Sequence, residues 1–380
     1  MIDIHNYFGP WKNEAQVSYQ VRAGDKYANR PAVLRPDRAP AACEQVRGHP
    51  SFISEFTWVN PADYAAEGPL LTASIAGMND IDGFTWFANH NLSWANSVEK
   101  WPVASPTLMA QSPGCALLYR RGDNRLADVL VSEGRSLEAM FHREKSIITQ
   151  GNGFDPTRNG GTPRDAKAGA GRVDPLAMVL GKVEVRFDND ADKVDPRLES
   201  LVDRANGLHR SVTGQLRFDT TGGLFTHDTP RSQGAAGFLD RAGPIRLGQT
   251  EIRMQNDFGA ALVISLDGRP LAETAAILVQ AATNDKPHKW KATPATLKDG
   301  TPGMQIKDLG QPPLNVTEIR GTVLIKGITA ADRPEVHVLD PNGMTRSVPV
   351  HRITPGGLEI TLPKNAFYTF IALRRPPEVE

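Results

Sequence analysis

The stretch HPSFISEFTWVNPADYAAEGPLLTASIAGMNDIDGFTWFANH, residues 49–90, carries the clearest fold signal in the chain. SFISEFTW, residues 51–58, is a β-rich run. The asparagine-proline pair at 60–61 opens a helix, and apolar residues recur at helical spacing over residues 62–81. GFTWFAN, residues 83–89, predicts the next strand. The order strand, helix, strand predicts parallel pairing in an α/β layer.

Both flanks of this stretch continue the alternation of strands and helices. Residues 1–8 alternate apolar with polar side chains, as a strand does, and end at a Gly-Pro breaker. Residues 106–121 predict a helix that an internal Pro-Gly pair should bend. We therefore predict an α/β segment over residues 1–130.

The composition changes beyond residue 130. We predict a linker or loop over 131–175, because residues 150–172 are rich in Gly, Pro, Asn and Asp and have almost no apolar content. Short strands between DG, NG and GG turns then predict a β-rich domain over 176–293 and a C-terminal β-sandwich-like module over 294–380. The sequence thus predicts a multidomain protein, α/β followed by all-β.

Composition and charge disfavour several classes of partner. The 380 residues include 43 basic and 43 acidic side chains, so no broad basic face is expected for nucleic acid. No run approaches the roughly 18 apolar residues of a membrane span, and the first residues lack the features of a secretory signal. We expect no nucleic-acid or membrane partner. Localisation stays open, with a secreted or periplasmic parent protein as one alternative.

Metal and redox signals in the sequence are weak. Cys43 and Cys115 match no CxxC spacing, and a single disulfide between them stays open. Four acidic residues fall at positions one, three, five and twelve of a calcium-loop pattern: Asp188, Asp190, Asp192 and Glu199. The glycine that this pattern requires at position six is Lys193, so a solvated acidic loop is the favoured interpretation. We expect no cofactor.

Glu55 is the strongest candidate for chemistry. It lies near the end of an otherwise apolar strand, and in parallel α/β barrels the carboxyl ends of the strands form the active face. Trp58, Trp86 and Trp94 are predicted to bring flat apolar surfaces to the same end, and sugar rings stack on such surfaces. The competing interpretations are structural: a glutamate paired with an arginine, and tryptophans that fill the core.

The run over residues 49–90 resembles the seventh and eighth barrel strands of retaining clan-A glycoside hydrolases. The resemblance implies that Glu55 is the nucleophile and that Trp86 floors the sugar subsite. The opening IDIHNYF is similar to the sixth strand, with His5 near the site, and His90 follows the eighth strand. For both histidines a structural role is an equal alternative. The β-rich remainder is similar to the accessory domains of such enzymes, which implies a partial TIM-barrel-like segment followed by β-sandwich domains.

The chain departs from this family in its number of strands. A complete barrel takes about 250 residues and eight strands, but three strand candidates precede the β-rich part. Retaining hydrolysis needs a second carboxylic acid about 5 to 5.5 Å from the nucleophile, and the family supplies it from the fourth strand. No counterpart is identified in this sequence. The chain would then be the distal portion of a longer protein, be completed by another subunit, or fold in a new way.

These residues lead to three functional hypotheses. The leading one is a glycosidase, or the distal portion of one, that cleaves an oligo- or polysaccharide with Glu55 as nucleophile. The alternatives are a non-catalytic carbohydrate-binding or interaction module and a hydrolase of another bond such as an ester. A second carboxylic acid near Glu55, an isolated Glu55, or a Ser-His-acid constellation would separate them. The open strand edges of an incomplete barrel also predict a homo-oligomer.

Overall fold

The computed structural model describes residues 1–88, 98–148 and 172–374, except positions 11, 18, 102, 143 and 145. Within these ranges the protein is mostly β-strand and its helices are short, and no helix there is long and apolar enough to cross a membrane. The strands of the first part are β1 (Ile2–His5), β2 (Lys12–Glu14), β3 (Gln20–Val21), β4 (Lys26–Ala28), β5 (Gln45–Val46), β6 (Ser51–Phe56), β7 (Gly83–Trp86), β8 (Val98–Glu99) and β9 (Val129–Gly134). Its helices are α1 (Gly68–Met78), α2 (Pro106–Met109), α3 (Ser112–Arg121) and α4 (Leu137–Phe141), with 3-10 helices at Ala32–Leu34, Pro36–Arg38 and Ala65–Glu67.

The second part of the chain is built almost entirely from strands. They are β10 (Lys182–Arg186), β11 (Lys193–Val194), β12 (Val202–Asp203), β13 (Leu208–Arg210), β14 (Leu216–Asp219), β15 (Leu224–Asp228), β16 (Ser232–Gly237), β17 (Ile245–Arg246), β18 (Thr250–Met254), β19 (Gly259–Ser265), β20 (Ala276–Thr283), β21 (Asp285–His288), β22 (Lys291–Thr296), β23 (Pro302–Asp308), β24 (Gln311–Val316), β25 (Gly321–Lys326), β26 (Glu335–Leu339), β27 (Thr345–Ser347), β28 (His351–Thr354), β29 (Gly357–Thr361) and β30 (Tyr368–Ala372). The helices are α5 (Ala177–Leu180), α6 (Arg197–Leu201) and α7 (Leu239–Ala242), with a 3-10 helix at Ala330–Asp332.

The strand-helix-strand prediction for the first part is confirmed. β1, β6 and β7 form a three-stranded parallel sheet with β6 in the centre. α1 connects β6 to β7, has Pro69 in its first turn, and is buried along almost its whole length. It is shorter than the predicted helix over 62–81, because a 3-10 helix precedes it. The second predicted helix is divided into α2 and α3 ahead of Pro113.

A closed barrel is not formed by the described residues. The parallel sheet has three strands, and β1 and β7 each have β6 as their one strand neighbour in this part of the chain. Ile53 of β6 is fully buried in the same hydrophobic cluster as the leucines of α1. Asp3, His5 and Thr85 of the same sheet are exposed to solvent. The segment is therefore an open parallel sheet within a mostly β protein.

Antiparallel sheets build most of the molecule. A ten-stranded sheet has the order β12-β13-β14-β15-β16-β19-β20-β30-β26-β27, and a five-stranded sheet has the order β17-β18-β25-β29-β28. Buried side chains from both sheets, among them Val263, Val323 and Ile360, form one hydrophobic cluster. This arrangement fits the predicted sandwich architecture of the β-rich part. Two-stranded sheets join β3 to β8 and β21 to β24.

Strand pairing crosses the predicted domain limits. β20 pairs with β30, and β18 pairs with β25, so strands from both sides of residue 294 share both large sheets. A four-stranded sheet has the order β11-β9-β10-β5, so β10 pairs with both β9 and β5. The hairpin of β22 and β23 pairs with β4, close to the start of the sequence. These pairings connect stretches that the sequence assigned to separate domains.

The predicted linker over 131–175 begins with regular structure instead. Residues 129–134 form β9, which pairs with β10 on one side and with β11 on the other, and α4 follows. The sequence missed β9 because a six-residue run is short, and its stability comes from strands more than 45 positions away. Positions 149–171, which hold most of the expected linker, lie outside the described residues.

Buried polar contacts connect α1 to its surroundings. Ser74 Oγ of α1 lies 3.0 Å from His227 Nδ1 on β15, and His227 Nε2 lies 2.9 Å from Ser232 Oγ on β16. All three side chains are fully buried. Because both imidazole nitrogens have hydroxyl partners, the histidine is satisfied without a charged neighbour in direct contact. This network fastens the helix to the ten-stranded sheet.

Cys43 and Cys115 are both buried and free, so the disulfide that the sequence left open is not formed. Burial raises the pKa of each thiol to about 12. The two cysteines therefore behave as small core residues rather than reactive thiols.

Candidate functional site at Glu55

Glu55 lies near the carboxyl end of β6, the central strand of the parallel sheet. A register shift after Ile4 places His5 of β1 beside it. His5 Nδ1 lies 3.2 Å from Glu55 Oε2, and the Tyr7 hydroxyl donates a hydrogen bond to the same oxygen at 2.6 Å. One oxygen of the Glu55 carboxylate is thus held by two groups that come from β1 and the residues just after it.

The other oxygen, Oε1, has no hydrogen-bond partner among the described residues. The Glu55 side chain is 32% exposed, whereas Tyr7 is 5% exposed. The buried Tyr7 therefore fixes Oε2 of the carboxylate from the protein interior, while Oε1 stays accessible. This asymmetry distinguishes Glu55 from a glutamate that is paired with an arginine.

Asp3 extends the contacts of His5. Its Oδ2 lies 3.6 Å from His5 Nε2, and its carboxylate also accepts hydrogen bonds from the Ser54 backbone N at 3.0 Å and from Ser54 Oγ at 2.7 Å. The pKa of Asp3 lies below its ordinary value: burial raises it, but the hydrogen bonds from Ser54 and the charge of His5 outweigh that effect. The imidazole of His5 therefore lies between two carboxyl groups.

Aromatic rings surround the Tyr7 side of this site. The Tyr7 ring centroid lies 6.2 Å from that of Phe87 and 6.1 Å from that of Trp101. The ring centroids of Trp101 and Tyr19 are 5.4 Å apart. Tyr7, Val59 and Trp101 are buried together in one small cluster, and Phe87 packs against it. These rings restrict the orientation of the Tyr7 hydroxyl.

The two tryptophans nearest Glu55 in sequence have different surroundings. Trp58 is 2% exposed, and its indole N–H donates to Glu67 Oε1 at 2.9 Å, so it is a core residue with no exposed face for a sugar. Trp86 is half-buried and packs on Phe56 with ring centroids 4.3 Å apart. Of these two predicted binding residues, Trp86 is the one that retains accessible surface.

Two predicted contact residues, His90 and Trp94, lie outside the described residues. The remaining candidates, Glu55 and His5, are in direct contact, as the resemblance implied for a histidine near the nucleophile. Trp86 stands on β7, next to the strand that carries Glu55. The structure therefore brings Glu55 and His5 together, whereas the Trp86 ring packs with Phe56 and Trp58 against the main hydrophobic cluster.

The acidic residues of the calcium pattern do not converge. Asp188 and Asp190 both contact Arg186, at 2.9 and 3.4 Å, and Asp192 accepts from the Gly134 backbone N and pairs with Arg172. Glu199 lies on α6. Within the part of the chain that the structure describes, no group of three His, Cys, Asp or Glu side chains is arranged to hold a metal ion. Arginines and backbone N–H groups balance these carboxylates.

The hypotheses differ in what approaches Glu55. In the described ranges no second carboxyl group contacts Glu55, and its partners are His5 and Tyr7. Ser54 Oγ donates to Asp3 and not to His5, so these residues do not form a Ser-His-acid triad. The buried Ser74–His227 pair is closed to solvent and likewise makes no triad with an acid.

Sequence reasoning missed Asp3 and Tyr7. A signal for them existed: Asp3, His5 and Tyr7 recur at every second position, which places them on one side of a strand. Phe87 left no such signal, because its contact with Tyr7 joins positions 80 residues apart and depends on how the chain folds back.

The arrangement presents a carboxylate that is fixed at one oxygen and free at the other. Such a group can attack an electrophilic carbon or accept a hydrogen bond from a hydroxyl of a bound ligand. No family model, curated protein or solved structure matches this chain. The geometry around Glu55 is therefore the main guide to function.

Proposed function

We propose that this chain carries the nucleophile side of a retaining glycoside hydrolase site for oligo- or polysaccharides, with Glu55 as the nucleophile. The main support for this proposal is the asymmetry of the Glu55 carboxylate. Tyr7 and His5 hold Oε2, and Oε1 has no hydrogen-bond partner in the described part of the chain. A carboxylate anchored at one oxygen presents the other in a fixed direction. Attack at an anomeric carbon requires such alignment.

The topology of the sheet supports this proposal. β1, β6 and β7 are parallel, adjacent and in chain order, as the last three strands of a (β/α) barrel would be. Glu55 stands near the carboxyl end of the middle strand, where such barrels place catalytic groups.

The acid/base is the missing part of this proposal. It would come from outside the described residues or from a second subunit. Without it, departure of an alcohol from a natural sugar is slow, whereas aryl leaving groups need little protonation. Activated aryl glycosides are therefore the appropriate substrates.

The experiment is covalent labelling with 2,4-dinitrophenyl 2-deoxy-2-fluoroglycosides of the gluco, galacto, manno and xylo series. Attack by Glu55 forms a bond from its oxygen to the anomeric carbon and breaks the bond to dinitrophenolate, which leaves with the electron pair. Fluorine slows hydrolysis of the ester, so the glycosyl-enzyme should accumulate. We expect the intact mass to rise by one fluorosugar, and peptide mapping to place it on Glu55.

Two variants complete the labelling experiment. Glu55→Gln removes the charged oxygen with little change in size, so no label should form. Asp3→Asn, a neutral change on the other side of His5, should leave the labelled position unchanged. Labelling of another residue in the wild-type protein, or equal labelling of Glu55→Gln, would contradict the proposal.

A non-catalytic carbohydrate-binding function is the second candidate. It is favoured by the lack of a second carboxyl group in contact with Glu55 among the described residues. Titration calorimetry with cello-, xylo- and manno-oligosaccharides separates the two functions. Heat of binding without any fluorosugar label would favour the binding module. The ester-hydrolase alternative has no Ser-His-acid arrangement to support it in the described ranges.

A further inference from the structure

Two carboxyl groups outside the Glu55 site share one hydroxyl. Ser146 Oγ lies 3.2 Å from Glu44 Oε1 and within hydrogen-bond distance of Glu133 Oε2. Glu133 belongs to β9 and is 3% exposed, and Glu44 directly precedes β5 and is half-buried. The three residues come from separate stretches of the chain, so their contacts hold those stretches together.

Counting hydrogens around Ser146 restricts the charge of this group. A serine hydroxyl has one proton to donate and two lone pairs that accept. One lone pair accepts from the Ile148 backbone N at 3.3 Å. The single proton can satisfy one carboxyl group, so the second carboxyl can bond to Ser146 only if it carries a proton of its own.

The neighbouring charges decide which carboxyl is protonated. Arg135 Nε lies 3.3 Å from Glu133 Oε1, which stabilises the ionised form of Glu133. Arg135 also donates to the Glu144 backbone carbonyl. On the adjacent strand β10, Glu184 and Arg186 bond to Ser132, and Arg47 lies 3.7 Å from Glu184. Glu133 and Arg135 are therefore the charges that act on Glu44.

We propose that Glu44 is a pH-sensitive latch: its protonated carboxyl donates to Ser146 and holds residues 146–148 in place, and its ionisation loosens them. The pKa of Glu44 is raised to about 7, because burial and then the charge of Glu133 outweigh the hydrogen bond with Ser146 and the charge of Arg135, which lower it. This latch is independent of the function proposed for Glu55.

The segment under the latch is buried. Ile147 and Ile148 are 7% and 1% exposed and belong to the main hydrophobic cluster, and the Ile147 carbonyl accepts from the Val173 backbone N at 3.0 Å. When Glu44 ionises, its bond to Ser146 is lost and two carboxylates repel each other across the hydroxyl. Opening of residues 146–148 should therefore become more frequent as the pH rises through about 7.

The experiment compares hydrogen exchange of the wild-type protein with that of Glu44→Gln. After correction for intrinsic exchange, the wild-type peptide that covers residues 146–148 should open about tenfold more often at pH 8.5 than at pH 6. The reason is that Glu44 holds its proton at pH 6 in the closed segment but not in the opened one, so the closed segment loses this advantage when Glu44 ionises. The Gln amide donates as the neutral acid does and cannot ionise, so the variant should open equally at both pH values. Glu67, whose pKa burial raises to about 7, titrates in both proteins and cancels in the comparison.

A control and a second variant keep the test decisive. Glu138→Gln removes an exposed carboxylate on the nearby helix α4 and should retain the wild-type response. Glu133→Gln removes the repelling charge and should move the response to lower pH. Equal responses of wild type and Glu44→Gln would overturn the latch. Should Glu44→Gln fail to fold, an unshifted response of Glu133→Gln would overturn it instead.

Discussion

Glu55 and Glu67 are glutamates twelve positions apart, yet their surroundings differ. Glu55 is 32% exposed, and its Oε1 has no hydrogen-bond partner among the residues that the structure describes. Glu67 is fully buried and accepts from the Ala32 and Val33 backbone N–H groups and from the Trp58 indole. Burial raises the pKa of Glu67 to about 7, although these hydrogen bonds act to lower it. Position in the fold, rather than residue type, separates an accessible carboxyl group from a buried one.

The buried His227 is a second single residue whose surroundings matter, because its lowered pKa predicts that the stability of the protein depends on pH. Burial lowers its pKa from 6.5 to about 4, and the charge of Asp123 opposes this weakly. The native protein thus keeps the imidazole neutral, while the unfolded chain binds a proton below pH 6.5. Stability from His227 is therefore complete above about pH 6.5 and is lost as the pH falls towards 4.

The measurement is urea unfolding of wild type and His227→Gln between pH 7 and pH 4.5. The difference in free energy of unfolding between the wild type and the variant should shrink by roughly 2–3 kcal/mol as the pH falls over this range, because the variant has no imidazole to protonate at position 227. His288→Gln, at an exposed position, is the matched control and should follow the wild type. A constant difference between wild type and His227→Gln would contradict the prediction.

At the scale of elements, the contact of β6 with β7 depends on a residue without a side chain. Phe52 of β6 lies over Gly83 of β7, where an added Cβ would be 2.2 Å from Phe52 Cε2. The glycine is needed here for close approach, not for an unusual backbone angle. The parallel sheet that carries Glu55 is therefore sensitive to this position.

We expect Gly83→Ala to destabilise the protein by about 1–3 kcal/mol, because the Phe52 ring must move in a packed sheet. Gly356→Ala is the control, since the nearest atom to its added Cβ is 3.5 Å away. Chemical denaturation measures both. Combining Gly83→Ala with Phe52→Leu should recover part of the loss, and equal stability of the two single variants would show that the contact is unimportant.

At the scale of the whole molecule, the large sheets are shared across the chain. Residues 294–380 supply β25, β28 and β29 to the five-stranded sheet and β26, β27 and β30 to the ten-stranded one. They also supply Val323, Leu358 and Ile371 to the hydrophobic cluster between the sheets. The region predicted as a separate module is thus part of the core of the region before it.

A truncated protein of residues 1–293 should therefore lack a cooperative unfolding transition. β20 would lose β30 as its neighbour, and the apolar faces of both sheets would be exposed. Circular dichroism during heating, with the full chain as control, measures this. A cooperative transition of the fragment near that of the full chain would support the sequence-based division at residue 294.

The open parallel sheet predicts self-association. β1 and β7 have unpaired edges within the described residues, and edges of this kind recruit other strands. Exposed Asp3, His5 and Thr85 make the sheet surface more polar than the sequence suggested, so edge hydrogen bonds would be the main attraction. Sedimentation velocity at micromolar concentration should detect a homo-oligomer. Thr85→Lys should weaken it, and a strict monomer would count against it.

Local patterns in the sequence determined part of the secondary structure. The alternation in residues 1–8 and the helical spacing in 62–81 predicted the parallel strands and α1, and the turn signals after residue 176 predicted that short strands follow, because these depend on neighbours in the chain. The strand end in the same patterns identified Glu55, since a strand end is a local property, and the family resemblance added His5.

The tertiary structure alone decided how these elements combine. The pairing of β20 with β30, the burial of Trp58, and the meeting of Glu44, Glu133 and Ser146 join positions from 9 to more than 90 residues apart. The free energy of such contacts comes from packing and desolvation between distant segments, which no local pattern records. For the same physical reason the sequence located Glu55, and the fold decided that Tyr7 holds one of its oxygens and leaves the other free.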